Sequence, residues 1–266
     1  KYGKNYTSFL LIKKDTQTIV GHIGYKLNNL NPTIKGKIAF RFSTFISSKY
    51  RGTGLYSYFM NNTKELLLKN FGVIFIFAWP NIGNLISCLK DKDYLNQFPI
   101  ITWQHSLNNL DYIYTNPIGY KFEDLSKNNC KLTLSINDRK LTSESFEDLK
   151  KTLFDRDNKK YKIIHKDKFF SIIGETLIDK KIYLSIVFIQ GISIELVLGI
   201  LNANYKDDNY IVQIWCDPKD RILQSSLLKL KFFPNGPVFY NGIYELSDKK
   251  FISQDFFPSM YNNDAF

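Results

Sequence analysis

A turn with two glycines joins a predicted strand to a predicted helix, and it limits the folds open to this chain more than any other stretch. It reads Tyr50-Arg51-Gly52-Thr53-Gly54-Leu55-Tyr56. Glycines adopt torsions that other residues avoid and let a ligand approach the main chain closely. The first N–H groups of a helix have no acceptor within the helix, so such a turn can bind a pyrophosphate, with Arg51 adding a positive charge. The alternative is a tight turn that binds nothing.

The residues on either side of this turn predict an α/β fold of the α+β type, with strands followed by alternating helices and strands. Strands are expected from Ser8 to Lys14, Gln17 to Leu27, Lys37 to Ile46, Val73 to Ala78 and Ile100 to His105, and helices from Gly54 to Asn70 and Leu85 to Leu95. In the third strand a period of two places Ile38, Phe40, Phe42 and Thr44 on one face. In the first helix, Leu55, Phe59 and Leu66 share a face, and Tyr58 lies close to it.

The second half of the chain predicts a further αβ unit after a connector over residues 106–130. A helix is expected from Ser145 to Phe154, strands from Phe169 to Ile173, Ile182 to Ile189, Ile194 to Leu201 and Tyr210 to Trp215, a helix from Asp217 to about Phe232, and a strand from Val238 to Leu246. This order repeats that of the first half but lacks the glycine turn. We therefore expect two domains, residues 1–126 and residues 127–266. The second is either a degenerate repeat of the first or an unrelated αβ domain.

The charge balance indicates an anionic partner. Lysine and arginine number 36 against 25 acidic residues, a formal net charge of +11 in 266 residues. The lysines are scattered and no nucleic-acid-binding motif occurs, so we expect no nucleic acid as partner. No uncharged apolar run reaches the roughly 18 residues that a membrane-spanning helix needs, so we expect no membrane either.

Cysteine and histidine are too sparse to predict a metal site. The three cysteines form no Cys-x-x-Cys pair, and the three histidines are isolated in sequence. Reduced thiols in a cytoplasmic protein are the simplest interpretation. The sequence begins at Lys1 rather than at a methionine, so we also expect residues upstream.

The glycine turn and its surroundings resemble the GNAT superfamily of N-acyltransferases over roughly Tyr6 to His105. The family pattern [RQ]-x-x-G-x-[GA] holds the pyrophosphate of acyl-CoA, and here it reads Arg51-Gly52-Thr53-Gly54-Leu55-Tyr56. Tyr56 stands where the family has glycine or alanine. The resemblance implies a mixed twisted sheet with flanking helices. It also implies acetyl-CoA or another short acyl-CoA as co-substrate, with no metal.

The resemblance further implies where the co-substrate lies. The strands Lys37 to Ile46 and Val73 to Ala78 would splay apart, and the pantetheine arm would pair with the backbone of Phe45 and Ile46. The amine would then attack the thioester directly, without an acyl-enzyme. The residues expected to bind the cofactor are Phe45, Ile46, Arg51, Gly52, Thr53, Gly54, Leu55, Tyr56, Asn81 and Asn84. Asn81 and Asn84 have an alternative role as caps of the following helix.

Neither of the family's usual proton carriers is evident. No aspartate or glutamate occurs between Gly36 and Tyr50, and the position of the family's tyrosine acid falls on Cys88. We take His22, Tyr25, Tyr94 and His105 as the catalytic candidates. The alternative for each is a side chain that only packs. CoA thiolate is a fairly good leaving group, so the acid can be dispensable.

The acceptor is expected to be a primary amine on a small molecule. The step Trp79-Pro80-Asn81 and the appended domain resemble enzymes that acylate nucleotide-linked amino sugars for bacterial surface polysaccharides. We expect Arg41, Trp79 and Asp264 to bind this acceptor. The alternatives are an amine on a peptide or antibiotic, or a non-catalytic module that binds CoA or carbohydrate. The sequence leaves the sugar, the nucleotide, the acyl length and any oligomer open.

Overall fold

A computed structural model describes residues 5–30, 35–97, 99–106, 119–125, 153, 160–205 and 210–247. Within these residues the chain forms two mixed sheets and four α-helices, which confirms the α+β class. The chain divides into two compact units. Among the described residues, the first unit contains those up to 97 and those from Phe239 to 247, and the second contains those from Pro99 to Val238.

The helices and strands follow one another in mixed order along the chain. The strands are β1 (Tyr6–Lys13), β2 (Thr18–Asn29), β3 (Lys37–Ile46), β4 (Val73–Ala78), β5 (Tyr94–Asn96), β6 (Ile100–Ser106), β7 (Lys121–Asp124), β8 (Lys160–Lys166), β9 (Phe169–Ile178), β10 (Lys181–Gln190), β11 (Tyr210–Cys216), β12 (Val238–Phe239) and β13 (Gly242–Glu245). The helices are α1 (Leu55–Phe71), α2 (Ile82–Leu89), α3 (Ile194–Asn204) and α4 (Arg221–Lys229). A 3₁₀ turn, Ser48–Tyr50, lies between β3 and α1.

The two sheets share a strand order over six strands, and the second has one further edge strand, β7. The first runs β1-β2-β3-β4-β13-β5 and the second runs β7-β8-β9-β10-β11-β6-β12. Each has one parallel pair, β3–β4 and β10–β11, connected through α1 and α3 respectively. Of the two alternatives that the sequence leaves open, this topology favours a repeat over an unrelated αβ domain.

One strand in each sheet comes from the distant half of the chain. β13 lies between β4 and β5, and β6 lies between β11 and β12. A division at residue 126 assigns β6 to the first domain and β13 to the second, whereas each pairs in the other sheet. Sequence patterns predict a strand from its own side chains, but its partners are set by hydrogen bonds that leave no local signal.

The main error in the predicted secondary structure falls in the second unit. Ile194 to Leu201 forms most of α3 rather than a strand. Ser193 caps this helix by accepting a hydrogen bond from the N–H of Leu196, and Glu195 lies in its first turn. The helix is apolar on almost all sides because it is buried in the core of the second unit. A short apolar run does not distinguish a buried helix from a buried strand.

Several other boundaries differ from the prediction. The helix expected from Leu85 to Leu95 ends at Leu89, and the strand β5 follows. The strand expected from Val238 to Leu246 is divided into β12 and β13, which lie in different sheets. The helix expected from Asp217 to about Phe232 is shorter, from Arg221 to Lys229. The helix expected from Ser145 to Phe154 lies outside the described residues except for Leu153.

Apolar residues cover both faces of the first sheet. On the α1 side the core contains Ile23, Tyr25, Phe59, Met60 and Leu67. On the opposite side it contains Ile38, Phe40, Phe75 and Phe77. The predicted apolar face of α1 is correct at Phe59, but Leu66 is partly exposed and Tyr58 is 60% exposed. No described helix is long and apolar enough to cross a membrane.

The exchanged strand β13 provides a test of the sheet order. A Cβ at Gly242 would overlap the ring of Tyr94 on the neighbouring strand. We expect Gly242→Ala to lower the free energy of unfolding by about 1–3 kcal/mol, as overpacking does. The control is Gly83→Ala on the exposed side of α2, where the nearest atom is an ordinary contact at 3.5 Å. It should gain up to about 1 kcal/mol from helix propensity. Urea denaturation of both variants measures the difference, and equal midpoints would contradict the placement of β13.

Candidate functional site

The connection from β3 to α1 exposes backbone donors at the start of a helix. Gly52 and Gly54 adopt φ angles of 78° and 80°, in the left-handed region that favours glycine. No atom lies within 4 Å of a Cβ built at either glycine. The first helical hydrogen bond runs from the N–H of Tyr58 to the carbonyl of Gly54, at 3.1 Å. The preceding amides of α1 therefore have no acceptor within the helix, the space beside both glycines is open, and the first turn carries no acidic residue.

Two side chains fix the shape of this connection. Thr53 donates its hydroxyl hydrogen to the carbonyl of Tyr50 at 2.7 Å. Arg51 donates from Nε to the carbonyl of Ile46 at 3.1 Å. The side chain of Arg51 is exposed, and its two terminal nitrogens have no partner among the described residues. The connection thus combines backbone donors, a helix N-terminus and a guanidinium, which is the chemistry of a phosphate site.

The strands β3 and β4 pair only along part of β3. Their parallel register runs from Lys37↔Val73 to Arg41↔Ala78, where β4 ends. β3 continues to Ile46 and keeps its pairing with β2. Among the described strands, none pairs with Phe42 to Ile46 on the side of β4. That edge can pair with an extended ligand, as peptides and ligand arms do with exposed strands.

A bulge in β3 marks the start of this unpaired edge. The register with β2 shifts between Gly24 and Tyr25, so Tyr25 pairs with Arg41, Gly24 pairs with Ser43, and Phe42 is the extra residue. The bulge reverses the alternation of side chains. The expected common face of Ile38, Phe40, Phe42 and Thr44 is therefore wrong at Thr44, which pairs with Ile23 of the core beside α1.

His22 is the one catalytic candidate on an exposed part of the first sheet. It pairs with Phe45 of the unpaired edge, and its Nδ1 lies 3.3 Å from Oγ of Ser43. Leu10 is its partner on β1. Phe45 is 48% exposed and Leu10 50% exposed. His22 thus stands on an apolar, solvent-accessible surface directly beside the segment expected to pair with pantetheine.

Arg41 is buried among uncharged groups. It is 7% exposed. Its Nη1 donates to the hydroxyl of Tyr56 at 2.8 Å and lies 3.5 Å from Sδ of Met60. Its Nη2 lies 3.4 Å from Sγ of Cys88, and its guanidinium lies 5.7 Å from the ring centre of Tyr244. No carboxylate pairs with Arg41 among the described residues. This cluster was not predicted from the sequence, where Arg41 was expected to bind an acceptor.

The two tyrosine candidates, Tyr25 and Tyr94, are enclosed in the core. Tyr25 has no exposed surface, and its hydroxyl lies 3.4 Å from Oγ1 of Thr63. Burial raises its pKa to about 12. Burial also raises the pKa of Tyr94, which packs against Tyr244 with ring centres 5.1 Å apart. Both phenols are neutral at physiological pH, and a direct contact of either with a reactant would require the core to open.

Lys64 provides a contrast to Arg41 in the same core. It is also 7% exposed. Its Nζ lies 2.9 Å from Oδ2 of Asp91 and 3.2 Å from Oδ2 of Asp93. The same ammonium lies 4.5 Å from the ring centre of Tyr244. Lys64 is thus a buried cation with carboxylate partners, whereas Arg41 is one without.

The remaining predicted residues have other positions. His105 belongs to the second unit, where its Nδ1 donates to the carbonyl of Lys231 at 2.9 Å. Trp79 packs edge-on against Phe77, with ring centres 4.9 Å apart. Asn81 caps α2 by accepting a hydrogen bond from the N–H of Asn84 at 2.9 Å. Leu55 packs against the core, and Asp264 lies outside the described residues.

In the second unit, too, the parallel pair ends before β10 does, but the turn with two glycines is absent. The parallel pairing of β10 and β11 runs from Ile182↔Tyr210 to Ile186↔Ile214, and β10 then continues with an irregular register at Val187. Only residues 191–193 separate β10 from α3, and none of them is basic. The second unit therefore lacks the cationic turn of the first.

Comparisons with known proteins agree on the fold. No family model and no curated protein sequence matches the chain. A GCN5-related N-acetyltransferase from Anabaena variabilis matches with a TM-score of 0.64 and 14% identity, over 92% of this chain and 63% of its own. An Enterococcus faecalis protein of unknown function, described as a probable N-acyltransferase, matches with a TM-score of 0.65 and 13% identity, over 91% and 62%.

The chain has the fold of GCN5-related N-acetyltransferases. A tandem GNAT protein from the clavulanic acid biosynthesis pathway also matches, with a TM-score of 0.51 and 10% identity, over 94% of this chain and 86% of its own. This agrees with the repeated strand order of the two sheets. The chain spans somewhat less than two thirds of the length of the first two structures. Among its described residues, no group of His, Cys, Asp or Glu could hold a metal ion.

Replacement by methionine should affect stability differently at the two buried cations, Lys64 and Arg41. Lys64→Met leaves Asp91 without its ammonium, and breaking a buried pair is strongly destabilising. Arg41→Met removes a charge that has only neutral neighbours. The variant loses these hydrogen bonds, but it also avoids the desolvation cost of burying a guanidinium, and the second effect offsets much of the first. We expect the urea midpoint to fall clearly more for Lys64→Met than for Arg41→Met. An equal fall would reveal a counter-charge for Arg41.

Proposed function

We propose that the first unit transfers an acyl group from acyl-CoA to a primary amine by direct attack. One observation carries this proposal: β3 ends in an unpaired edge, and a cationic glycine turn follows that edge in the chain. The edge, Phe42 to Ile46, suits an extended pantetheine arm. The turn, Arg51 to Gly54, suits the pyrophosphate at the other end of that arm. Acetyl-CoA and other short acyl-CoAs are the proposed donors.

The proposed mechanism uses backbone groups for most of its work. The N–H groups of Leu55 and Tyr56 and the guanidinium of Arg51 bind the pyrophosphate. Successive N–H groups of a strand point to opposite sides, and the N–H of Ser47 bonds to Val20 of β2, so those of Ile46 and Thr44 face the open edge. These two groups hold the pantetheine amides and stabilise the oxyanion that develops on the thioester carbonyl. Holding amine and thioester together lowers the entropic part of the barrier.

His22 is the proposed proton acceptor for the attacking ammonium. It is the catalytic candidate of the first unit that is both accessible and adjacent to Phe45. Tyr25 and Tyr94 are enclosed, so we give them a packing role, and His105 belongs to the second unit. Asn81 and Trp79 are assigned structural roles as cap and packing residue.

The acceptor that we propose first is a nucleotide-linked amino sugar. A diphosphate acceptor beside a diphosphate cofactor suits the net charge of +11. An amine on a peptide or antibiotic is the alternative substrate. A non-catalytic CoA-binding module is the second candidate function, which the enclosure of Tyr25 and Tyr94 favours. A thiol-release assay with acetyl-CoA and a panel of these amines distinguishes the three.

Substitution of Gly54 tests the phosphate turn. Gly54→Ala places a methyl group in the open space beside the turn and strains a residue with φ of 80°. We expect CoA affinity to fall at least tenfold, about 1.4 kcal/mol, by calorimetry. The matched control is Gly72→Ala at the other end of the same helix, where φ is 67° and no atom lies within 4 Å of the new Cβ. It carries similar strain and should leave CoA affinity unchanged.

Two results would contradict the phosphate turn. One is an unchanged CoA affinity in folded Gly54→Ala. The other is an equal loss in both glycine variants, which would assign the effect to helix strain. Wild-type protein that does not bind CoA would overturn the proposed function itself.

Replacement of His22 tests the proton acceptor. Loss of a general base typically costs a factor of about 100 or more in turnover. We expect His22→Ala to lose that much in the thiol-release assay and to recover part of it when imidazole is added. His22 is partly exposed and its partners Phe45 and Leu10 are exposed, so a small base can reach it. If the variant keeps normal turnover, His22 is not the proton acceptor, and water takes that role.

A further inference from the structure

A serine and a histidine contact each other beside the unpaired edge of β3. Oγ of Ser43 lies 3.3 Å from Nδ1 of His22. Both side chains are partly exposed, and the neighbouring Phe45 is 48% exposed. A hydroxyl within reach of an imidazole is the pairing that activates serine as a nucleophile, and the distance between them is often longer without substrate. The pair therefore has a chemistry that the proposed transfer to an amine does not use.

The bulge in β3 brings these two side chains together. In a regular strand Ser43 would share a face with Arg41, which bonds to Tyr56 of α1. The extra residue Phe42 turns Ser43 to the opposite face, where it lies one row of residues from His22. Bulges are frequent next to active sites, where they re-aim a side chain. The contact of serine and histidine is thus a consequence of the bulge.

Ser43 also lies next to the proposed position of the thioester. It directly precedes Thr44, whose N–H faces the open edge. In the proposed mechanism this N–H helps to stabilise the oxyanion, so the thioester carbonyl lies in the plane of the sheet beside Thr44. The side chain of Ser43 stands off that plane. Its hydroxyl and the carbonyl carbon are therefore neighbours.

We propose that Ser43, with His22 as its base, accepts the acyl group when no amine is bound and passes it to water. This rests on the proposed acyl transfer, because it uses the same bound acyl-CoA. The first unit is then a slow acyl-CoA hydrolase as well as an acyltransferase. Ser43 is the nucleophile of the hydrolysis, and both residues touch the reacting atoms.

The hydrolysis consists of two balanced steps. In the first, Oγ of Ser43 forms a bond to the acyl carbon, and the carbon–sulfur bond breaks with its electron pair going to sulfur. The hydroxyl proton passes to His22 and then to the thiolate. In the second, a water oxygen bonds to the acyl carbon, the bond from that carbon to Oγ breaks, and one water proton reaches Oγ through His22. The products are CoA and the free carboxylic acid.

The pair lacks the third member of a hydrolase triad. Among the residues that the structure describes, no carboxylate bonds to His22. In serine proteases an aspartate orients the imidazole, and its replacement by asparagine lowers turnover by about 10⁴. We therefore expect the hydrolysis to be slow compared with transfer to an amine.

The reaction of acetyl-CoA without any amine tests this inference. Free thiol is followed over time, and protein quenched with acid is digested for peptide mass spectrometry. We expect wild-type protein to release CoA and to carry an acetyl group on the peptide that contains Ser43. Ser43→Ala should lose that acetyl group, and its release should fall about a hundredfold or to the rate in buffer, as for loss of acid–base catalysis. His22→Ala should lose both in the same way.

Ser8→Ala is the matched control for the loss of a hydroxyl. Ser8 is exposed and lies on the same face of the sheet, where it pairs with Gly24 on the side away from Ser43. This variant should release CoA and become acetylated as the wild type does. Calorimetry with CoA shows whether each variant keeps the co-substrate site. If Ser43→Ala no longer binds CoA, the acetylated peptide of the wild-type protein decides alone.

The other outcomes separate this inference from the proposed function. If wild type releases no CoA without an amine, or if Ser43→Ala releases it at the wild-type rate, the inference is wrong and the transfer to amines stands. Acetylation confined to lysines has the same meaning. If Ser43→Ala binds CoA but loses transfer to the amine as well, the acyl group passes through Ser43, and direct attack is wrong. If wild type does not bind CoA, both fail.

Discussion

The parallel pairing of β3 with β4 and its end at Arg41 and Ala78 determine the rest of the first unit. A parallel pair needs a crossover, and α1 provides it, so the start of that helix must follow the end of β3. Because β4 stops first, the remainder of β3 keeps an open edge. The glycine turn then redirects the chain into the helix with its amides exposed. The edge, the turn and the helix N-terminus are thus consequences of one mismatch in strand length.

The exchanged strand β13 completes the same unit from the far end of the chain. It pairs with β4 and β5, and its Tyr244 lies against both buried cations, Lys64 and Arg41. Lys64 is neutralised by Asp91 and Asp93, which fixes the segment between α2 and β5. Arg41 has no carboxylate partner among the described residues. The second unit shows the same strand order with β6 in the equivalent place, but it lacks the turn. The two units therefore share a scaffold, and the cationic turn distinguishes the first.

Sequence patterns located the elements better than their partners. β3 and β4 have the predicted bounds, because a long alternating strand and a short β-branched run are strong local signals. The glycine turn was found because its torsions restrict its residues. The bulge at Phe42 was missed, since one extra residue leaves no mark in the alternation until the partner strand is known. The helix at Ile194 was mistaken for a strand because burial on all sides removes its periodicity. The Arg41 cluster depends on tertiary contacts between four elements, β3, α1, α2 and β13, which no sequence spacing reveals.

The central claim is that one ligand spans the open edge of β3 and the start of α1. Hydrogen exchange of the whole protein with and without CoA tests it most directly, because exchange reports hydrogen bonding at each amide. We expect slower exchange at two separate segments, residues 42–46 and 52–57, with no change along β10 of the second unit. Unchanged exchange at both segments at saturating CoA, or protection confined to the second unit, would contradict it.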